Sequence, residues 1–400
     1  MGLSDFARAL DDGANRRGTV RLRAKGWLPQ LTPYMGYGSV HGVKILARAI
    51  MAPPDQPNPL AAFLDSLPRD AHGSPMYDLA MQAAEAGAQA QRGWRQFFTT
   101  QVGYLPVTVR IMGQGGSVVR EIRTRTDRGG YLDLLVEDHG LAPGWHEVEL
   151  IPLAGEPVRA PVMIVAPGAK RGLISDIDDT ILVTWMPRAF TAAWNALVVR
   201  TNMRQPVPGM AEFYRELIAD LGSDGEPACS ADAGAGTSAG RATTSLDSSE
   251  IPVFYISGGA WNTYPNMVRF LRAHGFPLGP MLLTDWGPTP TGIFRNTVGH
   301  KNMQLRNLLI MFPGIEWILV GDDGQHDPII YDDLVREHPG RVRAIALREL
   351  APIEQVLSHG TAEPVETRRR DADTERHGVP VVRGADGATL LRKLRSLRTN

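Results

Sequence analysis

Asp176, Asp178 and Thr180 occupy alternate positions in Asp176-Ile177-Asp178-Asp179-Thr180, directly after the apolar run Gly172-Leu173-Ile174 and Ser175. The run predicts a buried strand that delivers carboxylates at its C-terminal tip, the edge where open α/β sheets bind ligands. Strand side chains alternate faces, so Asp176, Asp178 and Thr180 are expected to point one way and Asp179 the other. Asp179 is therefore expected to be structural, as a cap or ion-pair partner. Two carboxylates held this close repel unless a positive charge stands between them. A divalent cation meets that need, and oxygen ligands favour magnesium.

Three further groups could share the chemistry. Ser257-Gly258-Gly259 ends a second apolar run and precedes a helical pattern. A hydroxyl plus backbone N–H groups at a helix start make an anion cradle. Lys301, after His300, opens another helical pattern and could neutralise a phosphate or a reacting carboxylate. Gly321-Asp322-Asp323-Gly324-Gln325-His326-Asp327 is an acidic loop whose residue types suit a hard cation. His300 and His326 suit zinc better than magnesium and are expected to contact substrate or hydrogen-bond around the site.

These residues need a scaffold that collects strand ends. Leu173–Asp176, Val253–Ile256, Met281–Thr284, Trp317–Gly321 and Val342–Leu347 are strand-like, with helical patterns at Asn262–Ala273 and Lys301–Met311 between them. This alternation predicts an α/β fold with a doubly wound, parallel, five-stranded Rossmann-like sheet. Upstream, Val107–Ile111, Val118–Arg123, Tyr131–Val136 and His146–Leu150 are strand-like runs separated by glycine-rich turns. They predict a smaller antiparallel β-sandwich-like domain, structural or docking in role because it carries no catalytic cluster. Before it, Trp27–Tyr37 suggests loop or short strand, Val43–Ile50 a strand and Met81–Gln91 a helix.

The expected division is a mixed region at 1–93, a β-sandwich-like module at 94–167 and a catalytic domain at 171–400. Residues 222–250 are Gly, Ala, Ser, Thr and Asp with almost no apolar content, and are expected as a disordered insertion. Thr361–His377 is a second polar stretch. Ala388–Leu397 puts leucines on one helical face with basic residues around it, which fits a docked terminal helix or a membrane-surface helix. Trp185, Phe190 and Trp194 are expected to pack a small flap or to meet an acyl chain.

The net charge of −1 over 400 residues argues against a strongly basic nucleic-acid binder. A single cysteine, Cys229, excludes an intrachain disulfide and fits a reducing compartment. No apolar run is long enough to span a bilayer, and the first residues lack the apolar core of a secretory signal. The expectation is a cytoplasmic protein with a membrane-surface role left open.

The succession of acid pair, hydroxyl, lysine and acid cluster at strand and loop ends resembles the haloacid dehalogenase superfamily of phosphotransferases over about Arg171 to Leu350. The segments Ser175 to Ile181, Tyr255-Ile256-Ser257, His300-Lys301 and Gly321 to Gln325 with Asp327-Pro328 are similar to the phosphatidate phosphatase family of the fungal actin-patch enzyme, itself distantly similar to lipins. Pro33-Tyr34-Met35-Gly36-Tyr37-Gly38 resembles an N-terminal motif of that family. Asp323 departs from it, standing where a serine is expected.

The resemblance implies roles. Asp176 would be the nucleophile that forms an aspartyl-phosphate. Asp178 would act as general acid and base and lend a backbone carbonyl to magnesium, and Thr180 would hold the turn. Ser257, Gly258 and Lys301 would bind phosphoryl oxygens. Asp322 would ligate magnesium with Asp176, and Asp327 would do so directly or through water. The implied substrate is a phospholipid, phosphatidate first, met in transient contact with a membrane surface. A soluble phosphate ester as substrate, or a lipid-binding scaffold with little turnover, are the alternatives.

Overall fold

The computed structural model describes residues 17–53, 100–113, 116–183, 205–223, 250–284, 297–324, 326–359 and 375–397. The expectations for Met81–Gln91, for Trp185, Phe190, Trp194 and Cys229, and for most of 222–250 and 361–377 fall outside them.

Two seven-stranded sheets organise the described residues. The first comprises β1 (Leu28–Ser39), β2 (Gly42–Ala52), β3 (Pro106–Met112), β4 (Val118–Arg125), β5 (Tyr131–Glu137), β6 (Gly144–Pro152) and β7 (Val158–Val165), in the order β4-β3-β6-β7-β1-β2-β5. All neighbours are antiparallel except β1 and β7. Period-two burial is clearest in β3, where Val107, Val109 and Ile111 face the core and Thr108, Arg110 and Met112 do not. The expected boundary between 93 and 94 falls inside this sheet, because β1 and β2 are hydrogen-bonded to β7 and β5. Trp27–Tyr37, with its prolines and glycines, is largely strand. The bulge between Tyr34 and Tyr37 absorbs the irregular sequence. Gly36 is required there, since a Cβ would sit 2.4 Å from the Lys44 carbonyl oxygen.

The second sheet comprises β8 (Arg171–Asp176), β9 (Val253–Ala260), β10 (Met281–Thr284), β11 (Glu316–Asp322), β12 (Val342–Arg348), β13 (Glu375–Arg376) and β14 (Val379–Gly384). Its order is β10-β9-β8-β11-β12-β14-β13. The expected five-stranded, all-parallel sheet is corrected to seven strands with one antiparallel edge. The added pair is a tight hairpin. His377 and Gly378 both have positive φ (48° and 81°), as a two-residue turn that matches strand twist requires. Numbered in chain order, the five expected strands stand 3-2-1-4-5, so the chain reverses direction across the sheet beside β8. Such a switch point opens a crevice at the strand ends.

Helices α1 (Met210–Ser223), α2 (Tyr264–Ala273), α3 (Thr297–Met311), α4 (Asp327–Glu337), α5 (Pro352–His359) and α6 (Gly387–Ser396) accompany it. The C-terminal helix α6 is docked, which sets aside the membrane-surface alternative. Leu390 and Leu394 are buried, Asp386 caps the helix through the Thr389 amide, and Arg395 pairs with Glu216 and Asp220 of α1. Among the described residues, no helix is long and apolar enough to cross a membrane.

The two sheets share a core. Tyr34, Met35, Tyr37, Leu46, Met163 and Val165 from the first sheet lie in the same buried cluster as Ile174, Phe254, Tyr264 and Trp317 from the second unit.

Candidate active site

The carboxyl ends of β8, β9 and β11, with the starts of α3 and α4, bring the acidic and basic side chains together. Asp176, at the tip of β8, places Oδ1 2.5 Å from Lys301 Nζ. The same Nζ lies 2.5 Å from Asp327 Oδ1. Asp176, Lys301, Asp322 and Asp327 are all buried. Asp327 is the first residue of α4 rather than part of a loop, and Pro328 after it suits a helix start, where no intrahelical amide donor is needed. Gly321 makes room for Asp327: a Cβ there would come within 2.6 Å of Asp327 Oδ2.

Ligand oxygens of Asp176, Asp322 and Asp327 lie within 4.8 Å of one another. Asp322 Oδ1 accepts from the Gly324 amide at 2.8 Å, while Oδ2 is buried without a hydrogen-bond partner. Burial first, then Asp327 and Asp176, pushes Asp322 well above the usual carboxylate range. Asp176 is raised as well, by burial, with Lys301 opposing and Asp327 and Asp178 adding to the rise. Burial works against the Lys301 charge, but Asp176, Asp327 and Asp322 outweigh it and raise its pKa. Three buried carboxylates around one ammonium leave uncompensated negative charge. An oxygen-ligated divalent cation fits that charge and the orphaned Asp322 oxygen.

Asp178 stands apart from this cluster. Its Oδ2 accepts a hydrogen bond from Ser257 Oγ at 2.7 Å, and that Oγ also receives the Gly259 amide at 2.8 Å. The residues expected to form an anion cradle and the second acid of the pentad therefore meet, with Ser257 linking them. Thr180 Oγ1 reaches back to Asp176 Oδ2 at 3.4 Å. Asp179 turns the chain in the left-handed region, with φ of 59°. Its carbonyl accepts from Arg348 Nη1 at 2.7 Å, and Arg348 Nη2 pairs with Glu354 at the same distance.

Asp323, the departure from the family pattern, faces the loop before α5. Its Oδ1 accepts from the Leu350 amide at 2.9 Å and from Gln355 Nε2 at 2.7 Å. The carboxylate accepts both donors on one oxygen, where a serine hydroxyl would also bring a donor of its own to place. His300 Nε2 lies 3.2 Å from the Leu282 carbonyl oxygen.

Sequence reasoning missed the supports of the cradle. Thr284 Oγ1 donates towards the carbonyls of Gly258 (2.9 Å) and Gly259 (3.1 Å). On the opposite side Tyr34, from β1, stacks on Trp261 with centroids 4.5 Å apart. The Met35 amide donates to the Tyr264 hydroxyl at 2.8 Å. The only signal was the Pro33–Gly38 motif, whose spacing says nothing of a partner more than two hundred residues away. Tyr34→Ala should lower turnover per folded molecule about tenfold or more by loosening the cradle, while Tyr34→Phe retains it. Steady-state kinetics beside a folding-corrected active fraction would check this. Wild-type turnover in folded Tyr34→Ala would reject it.

Residues 171–349 match the family model for the catalytic domain of phosphatidate phosphatase APP1. Those residues belong to the APP1-type phosphatidate phosphatase family. Phosphatidate phosphatase APP1 of Saccharomyces cerevisiae is 25% identical over 178 residues, which cover 44% of this chain and 25% of the yeast protein. The matched part thus spans about a quarter of the length of that relative. Among solved structures, a Parabacteroides merdae β-glucuronidase covers 80% of this chain, and 34% of its own, at 9% identity with a TM-score of 0.20. A putative β-galactosidase from Bacteroides fragilis covers 82%, and 39% of its own chain, at 12% identity with the same TM-score. Superpositions that poor carry no information about the APP1-type catalytic domain.

Proposed function

We propose that this chain is a magnesium-dependent phosphatase of haloacid dehalogenase type that hydrolyses phosphatidate to diacylglycerol through an aspartyl-phosphate. The observation that carries the reading is the buried set of Asp176, Asp322 and Asp327 around Lys301, with Ser257 and Asp178 joined beside it. The family match supports the phosphoester substrate class.

Asp176 Oδ1 is held by Lys301, which leaves Oδ2, constrained only by the long Thr180 contact, to attack phosphorus. As the Oδ2–P bond forms, the ester P–O bond breaks and the leaving alkoxide takes a proton from Asp178. Asp178 then accepts a proton from water. That water attacks phosphorus, the Asp176–P bond breaks and inorganic phosphate leaves. Ser257 Oγ, Gly258 and Lys301 Nζ would meet the phosphoryl oxygens and offset charge that grows at the transition state, with the Gly259 amide holding Ser257 Oγ in place. Asp176, Asp322 and Asp327, with the Asp178 carbonyl, would hold magnesium, which when bound neutralises repulsion between nucleophile and phosphate. Buried Asp323 braces the β12–α5 junction.

A phosphate-release assay decides between substrates. Purified protein is offered phosphatidate in mixed micelles and soluble monoesters in parallel, with magnesium or with EDTA. Magnesium-dependent release from phosphatidate is expected. Release confined to the soluble esters would reject the lipid substrate, and release undiminished by EDTA would reject the metal.

A further inference from the structure

The first sheet ends in a basic cap that stands on the catalytic side of the molecule. Along β9 the chain runs from Phe254 to the carboxyl edge at Ala260, followed by Trp261. Tyr37 packs edge-on to Phe254, and Tyr34 stacks on Trp261. Going backwards along β1 therefore means going outwards past the strand ends that carry Asp176, Ser257 and Asp322. From Tyr34 to Leu28 the strand continues for about 20 Å in that direction.

The groups at that end are known from the register. Leu28 pairs with Ala52, Pro106 with Arg125, and Leu153 bonds its amide to the Pro106 carbonyl. Arg125 lies over the Tyr104 ring at 5.8 Å. Residues 17–23 form a helical turn that leads into β1. Leu22 and Trp27 pack against the sheet's core, while Arg17, Val20, Arg21 and Arg23 of the turn are exposed. Arg17, Arg21, Arg23, Lys25 and Arg125 are exposed, and residues 17–53 contain no Asp or Glu. Among the described residues, the exposed acids at this end are Asp127, whose Oδ1 is occupied by the Tyr131 amide, and Glu156. Among the cations stand apolar side chains in solvent: Val20 at 70% exposure, Leu28 at 49%, Tyr104 at 58% and Leu153 at 78%.

We propose that this cap is the membrane-docking surface and that its partner is an anionic bilayer. An anionic bilayer accepts both components at once, the cations at its headgroups and the short apolar side chains at the acyl boundary. A nucleic acid would leave Val20, Leu28 and Leu153 without a partner. Docked on the cap, the protein turns the carboxyl edge of its second sheet towards the bilayer, where a phosphate on a lipid is found. The inference rests on the phospholipid reading above and adds the surface through which that substrate is reached.

The test is flotation with phosphatidylserine-containing vesicles and with pure phosphatidylcholine vesicles, using the full chain and the triple variant Arg21→Glu, Arg23→Glu, Lys25→Glu. Wild type should float with the anionic vesicles, lose binding as salt rises, and ignore phosphatidylcholine. The variant should bind the anionic vesicles about a hundredfold more weakly, given the usual contribution of each cation near such a surface. Its turnover of p-nitrophenyl phosphate should match wild type, because the cap lies outside the active site. Equal flotation of the variant, or wild-type binding to RNA but not to anionic vesicles, would overturn the proposal. Failure of the substrate reading looks different: wild type would bind anionic vesicles yet release no phosphate from phosphatidate.

Discussion

Asp176→Asn should reduce phosphate release on the order of 10⁴-fold or more, the scale seen when a covalent hydrolase loses its nucleophile. The amide is nearly isosteric but cannot attack phosphorus as the carboxylate does. Its fold should survive. Asp176 is pushed up by burial and by Asp327 and Asp178, so removing its charge relieves repulsion while it gives up the Lys301 ion pair. Thermal unfolding beside single-turnover kinetics would separate the two effects. A folded Asp176→Asn protein that still turns over at more than about a hundredth of the wild-type rate would exclude Asp176 as nucleophile.

Lys301→Met should act on both stability and rate. Its ammonium is the group that contacts both Asp176 and Asp327, at 2.5 Å each. Without it, buried carboxylates face one another, and losing one partner of a buried ion pair costs about 3–5 kcal/mol. Turnover should fall on the order of 10²–10³-fold, as when one charge-stabilising donor is removed from a transition state. Magnesium should recover part of the stability, because the cation replaces some of the missing positive charge, but not the rate. Chemical denaturation with and without magnesium, beside kcat, measures each part. Wild-type turnover from folded Lys301→Met would remove the lysine from the mechanism.

The acidic, hydroxyl and lysine groups that gather in the candidate site were legible in the sequence because they sit near element ends. An apolar run followed by acids marks the tip of a strand, and β8 does end at Asp176, but Asp178 lies beyond that strand, so the two-residue period does not fix its direction. The edge hairpin β13–β14 escaped because two short strands around a two-residue turn give little periodicity, and Pro380 argues against a strand. The extent of β1 escaped because its prolines and glycines mark loops in most contexts. Here they serve a bulge and a close backbone approach.

Residue type and spacing alone determined which groups are candidates for chemistry, their order along the chain and the oxygen-rich character of the acidic cluster. Only the tertiary structure decided their partners. It joined Lys301 to both Asp176 and Asp327, gave Asp178 to Ser257, turned Asp323 to Leu350 and Gln355, and set Tyr34 against Trp261. Local sequence sets backbone periodicity over a few residues. Contacts between residues far apart in the chain depend on strand order and sheet packing, which no single segment encodes.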